Sequence, residues 1–288
     1  MYFPIPDSDI ERYIEEDVPY GDLTSTLLGI GDEPGEITFT TRDRTVLCCT
    51  EEAGRVLAKC GAEVLSTLPS GTIAAPGTEI LKASGPAAAL HAGWKVAMNL
   101  LEYASGISTR TATIVERARA ANPGINVVTT RKSFPGTKKI AIKAIMAGGA
   151  FPHRLGLSES ILVFSQHTAF LGGLDPFLDK LSDLKKLAPE QKILVEADSA
   201  EEALRIAAAG ADVVQVDKMP VSELAALVTE IRSRFPGVAV SAAGGINGEN
   251  AAAYAATGID IIVLSSVYFG KPADISTSIT PKPNQHPS

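Results

Sequence analysis

From residue 125 onward the chain alternates short apolar runs with longer amphipathic stretches. The runs fall at 125–130, 161–164, 192–196, 212–216, 238–242 and 259–264, and they are rich in Val and Ile with little polar alternation. Strands of a parallel sheet read this way, because helices cover both faces. Helical segments lie between most of the runs. In one, which Ser222 is expected to cap, Leu224, Leu227, Val228 and Ile231 form an apolar stripe at i, i+3, i+4 and i+7. Ser199-Ala200-Glu201-Glu202 is a capping box of the Ser-x-x-Glu type. Six βα-type strands suffice for an open doubly wound sheet or for a small closed barrel, and periodicity does not choose between them.

Residues 1 to about 120 carry a different pattern. Ser8-Asp9-Ile10-Glu11 reads as a capping box that starts a short helix. Ile37–Thr41 and Val46–Cys49 read as strands, and residues 51–60 as a helix. Between 63 and 90, the turn signals Pro69-Ser70-Gly71, Pro76-Gly77 and Gly85-Pro86 separate short β-like runs. Two helical stretches follow, near 91–104 and 108–121, parted by Ser105-Gly106. This half predicts a small α+β unit leading into helices. Residues 276–288, which end in the polar, proline-rich Pro281–Ser288, read as a disordered tail.

Composition narrows the function. With 26 basic and 33 acidic residues the net charge is −7, which disfavours general nucleic-acid binding but leaves local basic clusters free to hold small anions. No apolar run has the roughly 18 residues of a membrane helix, and Met1–Asp7 lacks the basic start and apolar stretch of a signal peptide. The three cysteines, Cys48, Cys49 and Cys60, are odd in number and lack metal spacing, as expected of a reduced cytoplasmic protein with buried thiols.

Ligand sites in parallel α/β folds form at the carboxyl ends of the strands. Reading one step past each run gives, in order, Arg131-Lys132; Gln166-His167; Glu196 and Asp198; Asp217-Lys218; Ala243-Gly244-Gly245; and Ser265-Ser266. The first loop also carries Lys138, Lys139 and Lys143, and His153-Arg154 precedes the second strand. Glycines let backbone N–H groups approach a phosphate, and the next helix N-terminus adds its dipole. Neighbouring carboxylates can hold magnesium and face developing positive charge. Arg and Lys can clamp carboxylates or phosphates. Taken singly, each residue has a plainer reading. Glu196 or Asp217 can be a rim ion pair, Arg131-Lys132 a solvated pair, and His153 a satisfied structural histidine. Trp94 and Met98 read as packing. The coincidence of these groups at successive strand ends points to a substrate bearing phosphate, a metal and acid groups.

Four segments then occur in order: Asp17–Thr24 (DVPYGDLT), Asn99–Thr109 (NLLEYASGIST), Thr130–Gly136 (TRKSFPG), and Gly148-Gly149 leading to His153-Arg154. Together they resemble the motifs of the quinolinate phosphoribosyltransferases (nicotinate-nucleotide pyrophosphorylases). More narrowly, they resemble the ModD branch, which is associated with molybdate-transport genes. The resemblance covers about residues 7–275. It implies an N-terminal open α/β sandwich with connecting helices over 1–120 and a C-terminal six-stranded parallel α/β barrel over 121–275, active as a cytoplasmic homodimer. It implies phosphoribosyl pyrophosphate (PRPP) with Mg2+ as donor and small molecules as substrates, with no nucleic acid and no membrane. By the same resemblance Arg131, Lys132, His153 and Arg154 bind the acid substrate or the donor. Glu196 and Asp217 sit at the donor ribose and its magnesium, with Lys132 at the leaving pyrophosphate, and Gly244, Gly245 and Ser265 hold the 5-phosphate.

The departures from the family pattern are local. Phe164-Ser165-Gln166-His167 stands where the family has Lys-Asp-Asn-His, so an aromatic ring replaces a basic contact to a substrate carboxylate. Trp94-Lys95 stands for Glu-Arg, so the residue expected to reach the partner subunit's site keeps its charge but loses the guanidinium fork. Ala243 replaces the serine before the glycine pair, and Ser265 a later glycine. The acceptor end is altered more than the phosphate end. Two other readings remain: a ligand-binding paralogue that handles molybdate without chemistry, and an aldolase or isomerase barrel with Lys218 as a Schiff-base lysine.

Overall fold

A computed structural model describes residues 4–282; the tail expectation for 283–288 and the start of the leader reading, 1–3, fall outside them. The first part of the chain runs through α1 (Asp7–Asp17), α2 (Leu23–Leu28), β1 (Pro34–Thr41), β2 (Thr45–Val46), α3 (Thr50–Lys59), β3 (Glu63–Thr67), β4 (Ile73–Ala74), β5 (Glu79–Pro86) and α4 (Ala87–Ala121). It continues through β6 (Asn126–Thr129), α5 (Lys138–Ala147), β7 (Phe151–Pro152), β8 (Ile161–Val163), α6 (Ser165–Thr168), α7 (Leu174–Leu187) and β9 (Ile193–Ala197). The last part holds α8 (Ala200–Ala208), β10 (Val213–Asp217), α9 (Val221–Arg234), β11 (Ala239–Ala243), α10 (Ala251–Ala256), β12 (Ile261–Leu264) and β13 (Ile275–Pro281).

Two compact units emerge, and neither is one stretch of chain. The first takes residues up to Ala112, Phe134–Gly148 and the segment from Phe269 onward; the second takes Thr113–Ser133 and Gly149–Tyr268. The first unit is built on an antiparallel sheet of order β13-β1-β5-β3. Its strand β1 buries every second side chain, including Ile37 and Phe39, both fully enclosed. β13 corrects the expectation of a disordered tail from 276. Residues 275–281 alternate β-branched and small residues and pair with β1 in register from Thr41↔Ile275 to Gly35↔Pro281.

Several local expectations need correction. Ser105-Gly106 does not break the helix, because α4 is continuous through it. Ser105 Oγ instead accepts from the Cys48 N–H at 3.0 Å, and Gly106 lets the backbone of 271–273 approach so closely that a Cβ would lie 3.0 Å from three of its atoms. The serines at 8 and 222 sit inside α1 and α9, whose N-caps are Pro6 and Pro220; proline's fixed φ suits the extended entry, and both hydroxyls come two residues late. Ser199 does cap α8, accepting from the Glu202 N–H. The strand at Val46–Cys49 shortens to Thr45–Val46, because Cys49 turns into the left-handed region at φ 61° to start α3. The three thiols are free, with Cys48 and Cys49 buried.

Lys139 and Lys143 are not site cations. They lie on α5 in the first unit, where Lys139 pairs with Asp9 at 2.6 Å and Lys143 bridges Glu51 at 2.9 Å and Glu52 at 2.5 Å. Burial opposes the Lys143 charge, but the bonds to Glu52 and Glu51 outweigh it and raise its pKa. Burial likewise opposes the Glu51 charge, yet Ser70 and Lys143 together bring its pKa down to about 2.

The second unit is a parallel sheet of order β7-β6-β12-β11-β10-β9-β8. All six expected strands form. The seventh, β7, is only Phe151-Pro152, too short to leave a periodic trace. β9 and β10 are buried almost throughout, as two-sided coverage requires. Two aspartates pin strand starts. Asp212 accepts from the Ile193 N–H at 2.8 Å, and Asp260 from the Val240 N–H at 2.7 Å.

Removing the Lys143 ammonium takes from Glu52, 4% exposed, its 2.5 Å partner and leaves it only the longer 4.0 Å pair to Arg55. Lys143→Ala should therefore cost about 3–5 kcal/mol in a urea melt at pH 7. The depressed Glu51 pKa makes its contribution full above the ordinary carboxylate value and lost as pH falls toward about 2. The gap between parent and variant should narrow across that acid window.

Candidate active site at the strand carboxyl ends

In the second unit the inward-facing positions stack in levels. The lowest is apolar: Leu162, Leu194 and Val213, joined by Ala239 and Ile261. The next level is polar. The register pairs Gln215 with Glu196 on one side and with Ser241 on the other. Gln215 Nε2 donates to Glu196 Oε2 at 2.8 Å, and the Ser241 hydroxyl donates to Gln215 Oε1 at 3.5 Å. Phe164 follows the Val163↔Val195 pair, level with Glu196, and packs down onto the apolar cluster. Its ring stacks on His167 at 5.7 Å between centroids, and its backbone N–H donates to His167 Nδ1 at 3.0 Å.

Asp217 stands one level higher, at the end of β10. Burial, then Asp217 and Asp198, push the Glu196 carboxyl above the usual range, against the pull of its Gln215 bond and of Lys132. Lys132 follows β6, four strand steps away from β9 across the ladder. A flat sheet would hold the two roughly 19 Å apart; the twist of neighbouring strands curls the sheet and brings their tips closer.

The basic residues gather around β6 and β7. Burial, then Arg154, hold His153 below the usual histidine range, and burial, then Arg131, lower Arg154. His153 Nε2 is buried with no hydrogen-bond partner among the described residues. The Tyr268 hydroxyl donates to Thr129 Oγ1 at 2.9 Å and to the Thr130 carbonyl at 3.1 Å, fixing the strand end from which Arg131 and Lys132 project.

The glycine turn adjoins the acids. Gly244 has φ +84°, and a Cβ there would lie 2.3 Å from Asp217 Oδ1. Gly245, at φ +72°, meets nothing within 4 Å and faces open space. Ser265 Oγ lies 2.8 Å from Thr130 Oγ1, and Ser266 Oγ donates to the Ile246 carbonyl at 2.9 Å, so the turns after β6, β11 and β12 are stitched together. The helix after the glycines, α10, has only six residues, so the dipole expected there is slight and anion binding falls to the turn itself.

Arg131, Lys132, His153, Arg154, Phe164, Glu196, Asp217, Gly244, Gly245 and Ser265 thus all belong to one unit and one end of one sheet. Lys95 does not. It lies on α4 in the first unit, exposed, its ammonium 4.2 Å above the Trp94 ring. Lys218 is 77% exposed and 3.7 Å from Asp217, unlike the desolvated amine that Schiff-base chemistry needs. Sequence reading passed over Gln215, Ser241 and Tyr268. A signal existed for Gln215, since a glutamine inside a fully apolar run must be buried and must find a partner.

The C-terminal domain of the family described as Quinolinate phosphoribosyl transferase matches residues 107–277, and its N-terminal domain matches 22–105. The chain belongs to the quinolinate phosphoribosyltransferase family. It is 44% identical over 250 residues to "Putative pyrophosphorylase ModD" of Rhodobacter capsulatus, covering 87% of this chain and 96% of that one. It is 30% identical over 264 residues to the human nicotinate-nucleotide pyrophosphorylase [carboxylating], covering 92% and 88%. The solved nicotinate-nucleotide pyrophosphorylase of Francisella tularensis shares the fold at a TM-score of 0.87 and 23% identity, covering 96% and 98%. The two-part α/β architecture is that of the quinolinate phosphoribosyltransferase fold. Among the described residues no helix is long and apolar enough to cross a membrane.

Glu196→Gln removes a charge that the fold disfavours. The raised carboxyl contributes stability fully below its unfolded value and loses it as pH rises through the folded one. In magnesium-free buffer near pH 8 the variant should melt a few degrees higher than the parent, the gain fading in acid. At the glycine pair, Gly245→Ala should cost about 1–2 kcal/mol for its backbone alone. Gly244→Ala should cost clearly more in the same urea titration, because Asp217 must move.

Proposed function

We propose that the chain transfers the 5-phosphoribosyl group of PRPP to a ring nitrogen of an acidic or aromatic N-heterocycle and releases pyrophosphate. The observation that carries this reading is the pair Glu196 and Asp217, sharing a field with Lys132 and set against the Gly244 turn. The nitrogen lone pair forms the N–C1 bond as the C1–O bond to pyrophosphate breaks, and that electron pair leaves with the pyrophosphate. The ribose passes through oxocarbenium character, which the two carboxylates stabilise electrostatically. Lys132 faces the leaving pyrophosphate. The backbone of Gly244-Gly245, with Ser265, holds the 5-phosphate, and Arg131, His153 and Arg154 hold the acid group of the acceptor. Catalysis is then positioning and charge, with no covalent intermediate on the protein.

Magnesium fits the acid side. Burial, then Asp217 and Asp198, raise the affinity of Glu196 for a proton, as expected at a site short of positive charge. No cluster of three or more His, Cys, Asp or Glu side chains suited to a metal occurs among the described residues. Two carboxylates are what magnesium shared with substrate phosphates requires. Glu196 and Asp217 would hold it, and when bound it would neutralise charge on the pyrophosphate. In this reading the protein works in the cytoplasm as a homodimer, and exposed Lys95 serves the site of a second copy.

A second reading has one observation in its favour. The unpartnered His153 Nε2, beside Arg154 and Arg131, suits an oxyanion, and the ModD relatives fit a binding paralogue equally well. One assay separates the two: pyrophosphate release from magnesium-PRPP with a panel of heterocycles, alongside donor titration by calorimetry. Transfer predicts turnover that falls by at least about a hundredfold in Glu196→Gln and Asp217→Asn. Oxyanion binding with no donor binding and no release would establish the paralogue instead.

A further inference from the structure

The charges at the convergent strand ends are unevenly placed. Arg131, His153 and Arg154 flank β6 and β7, at one end of the ladder, and Phe164 closes β8 at the other. The inward level containing Phe164 continues through Glu196, Gln215 and Ser241 and holds no cation. Its neutral donors turn toward the protein itself, one N–H of the Gln215 amide to Glu196 and the Ser241 hydroxyl to Gln215. The phenyl ring is held in place by the cluster beneath it and by its stack on His167. An aromatic face is the negative side of its quadrupole, and Glu196 stands level with it, so an anionic substituent at this level would be desolvated beside a carboxylate that already competes for Lys132. On the β6–β7 side the reverse holds, since a buried imidazole nitrogen, His153 Nε2, lacks a partner next to a guanidinium.

We propose that the acceptor is an aromatic N-heterocycle carrying a single acid group, bound by that group at Arg131, His153 and Arg154 with its uncharged edge against Phe164, and transferred without loss of carbon dioxide. This rests on the transfer reading above. The N–C1 bond forms and the C1–O bond to pyrophosphate breaks; no C–C bond is cleaved, and the acid group stays on the product. Phe164 is therefore a specificity-determining residue that rejects a second carboxylate.

The test uses the full chain with magnesium-PRPP and two matched pairs of acceptors: pyridine-3-carboxylate against pyridine-2,3-dicarboxylate, and imidazole-4-carboxylate against imidazole-4,5-dicarboxylate. Pyrophosphate and carbon dioxide release are followed together. The mono-acid of at least one pair should exceed its di-acid in kcat/KM by about tenfold or more, with no carbon dioxide. Phe164→Lys should move that ratio toward the di-acid by a similar factor, while Phe164→Leu, which keeps the apolar wall, should leave the mono-acid preferred. A wild-type preference for the di-acid, carbon dioxide release, or a ratio unchanged in folded Phe164→Lys would overturn the inference. Calorimetric PRPP binding with no turnover of any of the four acceptors would also overturn it, leaving the donor site standing. Absence of PRPP binding would remove the transfer reading and this inference with it.

Discussion

Two carboxylates held close together, one of them half-buried, are the costly feature around which the second unit is organised. Glu196 is pushed toward its neutral form by burial and by Asp217 and Asp198, and only Gln215 and Lys132 act against that. A protein under selection for stability alone would relieve such a cluster with a lysine or remove it. Here the surroundings keep it. Gln215 fixes the Glu196 carboxylate by a 2.8 Å bond without neutralising it, and Gly244 yields its Cβ so that Asp217 can lie against the turn. The excess negative charge has no use inside the folded chain. In the proposed transfer it would acquire one when positive charge arrives, as a metal or as a developing oxocarbenium.

The same residue type does opposite work at the two ends of the sheet. Asp212 and Asp260, at the starts of β10 and β12, accept backbone N–H groups of the neighbouring strands and pair with Lys185 and Arg232 at 2.9 and 2.6 Å. Their charges are satisfied within the fold, and they set strand register. Asp217 and Glu196, at strand ends, are held less fully, Glu196 by the neutral Gln215 amide and Asp217 by an exposed Lys218 at 3.7 Å. Parallel sheets separate these duties because every strand points the same way, so the loops at one end are free to vary while the other end is bonded down.

Much of this was legible in the sequence because it follows from periodicity. The six apolar runs from 125–130 to 259–264 each became a strand, and the strand-end rule then located Arg131, Glu196, Asp217 and Gly244. What could not be read depended on long-range contacts. Ser105-Gly106 looks like a helix break in any local view; its true cause is the backbone of 271–273 lying against it. Residues 276–282 look like a polar tail until β1 supplies a partner for their alternation. Lys139 and Lys143 follow the Arg131-Lys132 tip in sequence, yet their charges are met by Asp9, Glu51 and Glu52, which no spacing rule connects to them. Gln215 was hidden for another reason. A single polar residue in a buried strand is ambiguous until its neighbour across the register is known to be Glu196.

Subtracting the structural lysines changes what the strand-end loops can bind. The cations left at the convergent tips are Arg131, Lys132 and Arg154, with Lys218 exposed beside Asp217, and they meet Glu196, Asp217 and Asp198. The region is near neutrality but divided, with Arg131, Lys132 and Arg154 clustered at β6 and β7 and the acids on β9 and β10, where the neighbouring cation, Lys218, is largely exposed. A uniformly anionic ligand would meet attraction on one side and repulsion on the other. A ligand whose own charge is divided, with anionic groups for the basic side and a cation or electron-poor carbon for the acidic side, is complementary throughout. That division, rather than the sum of charges, is the property that a sugar carrying phosphate and a magnesium-bound leaving group shares with this end of the sheet.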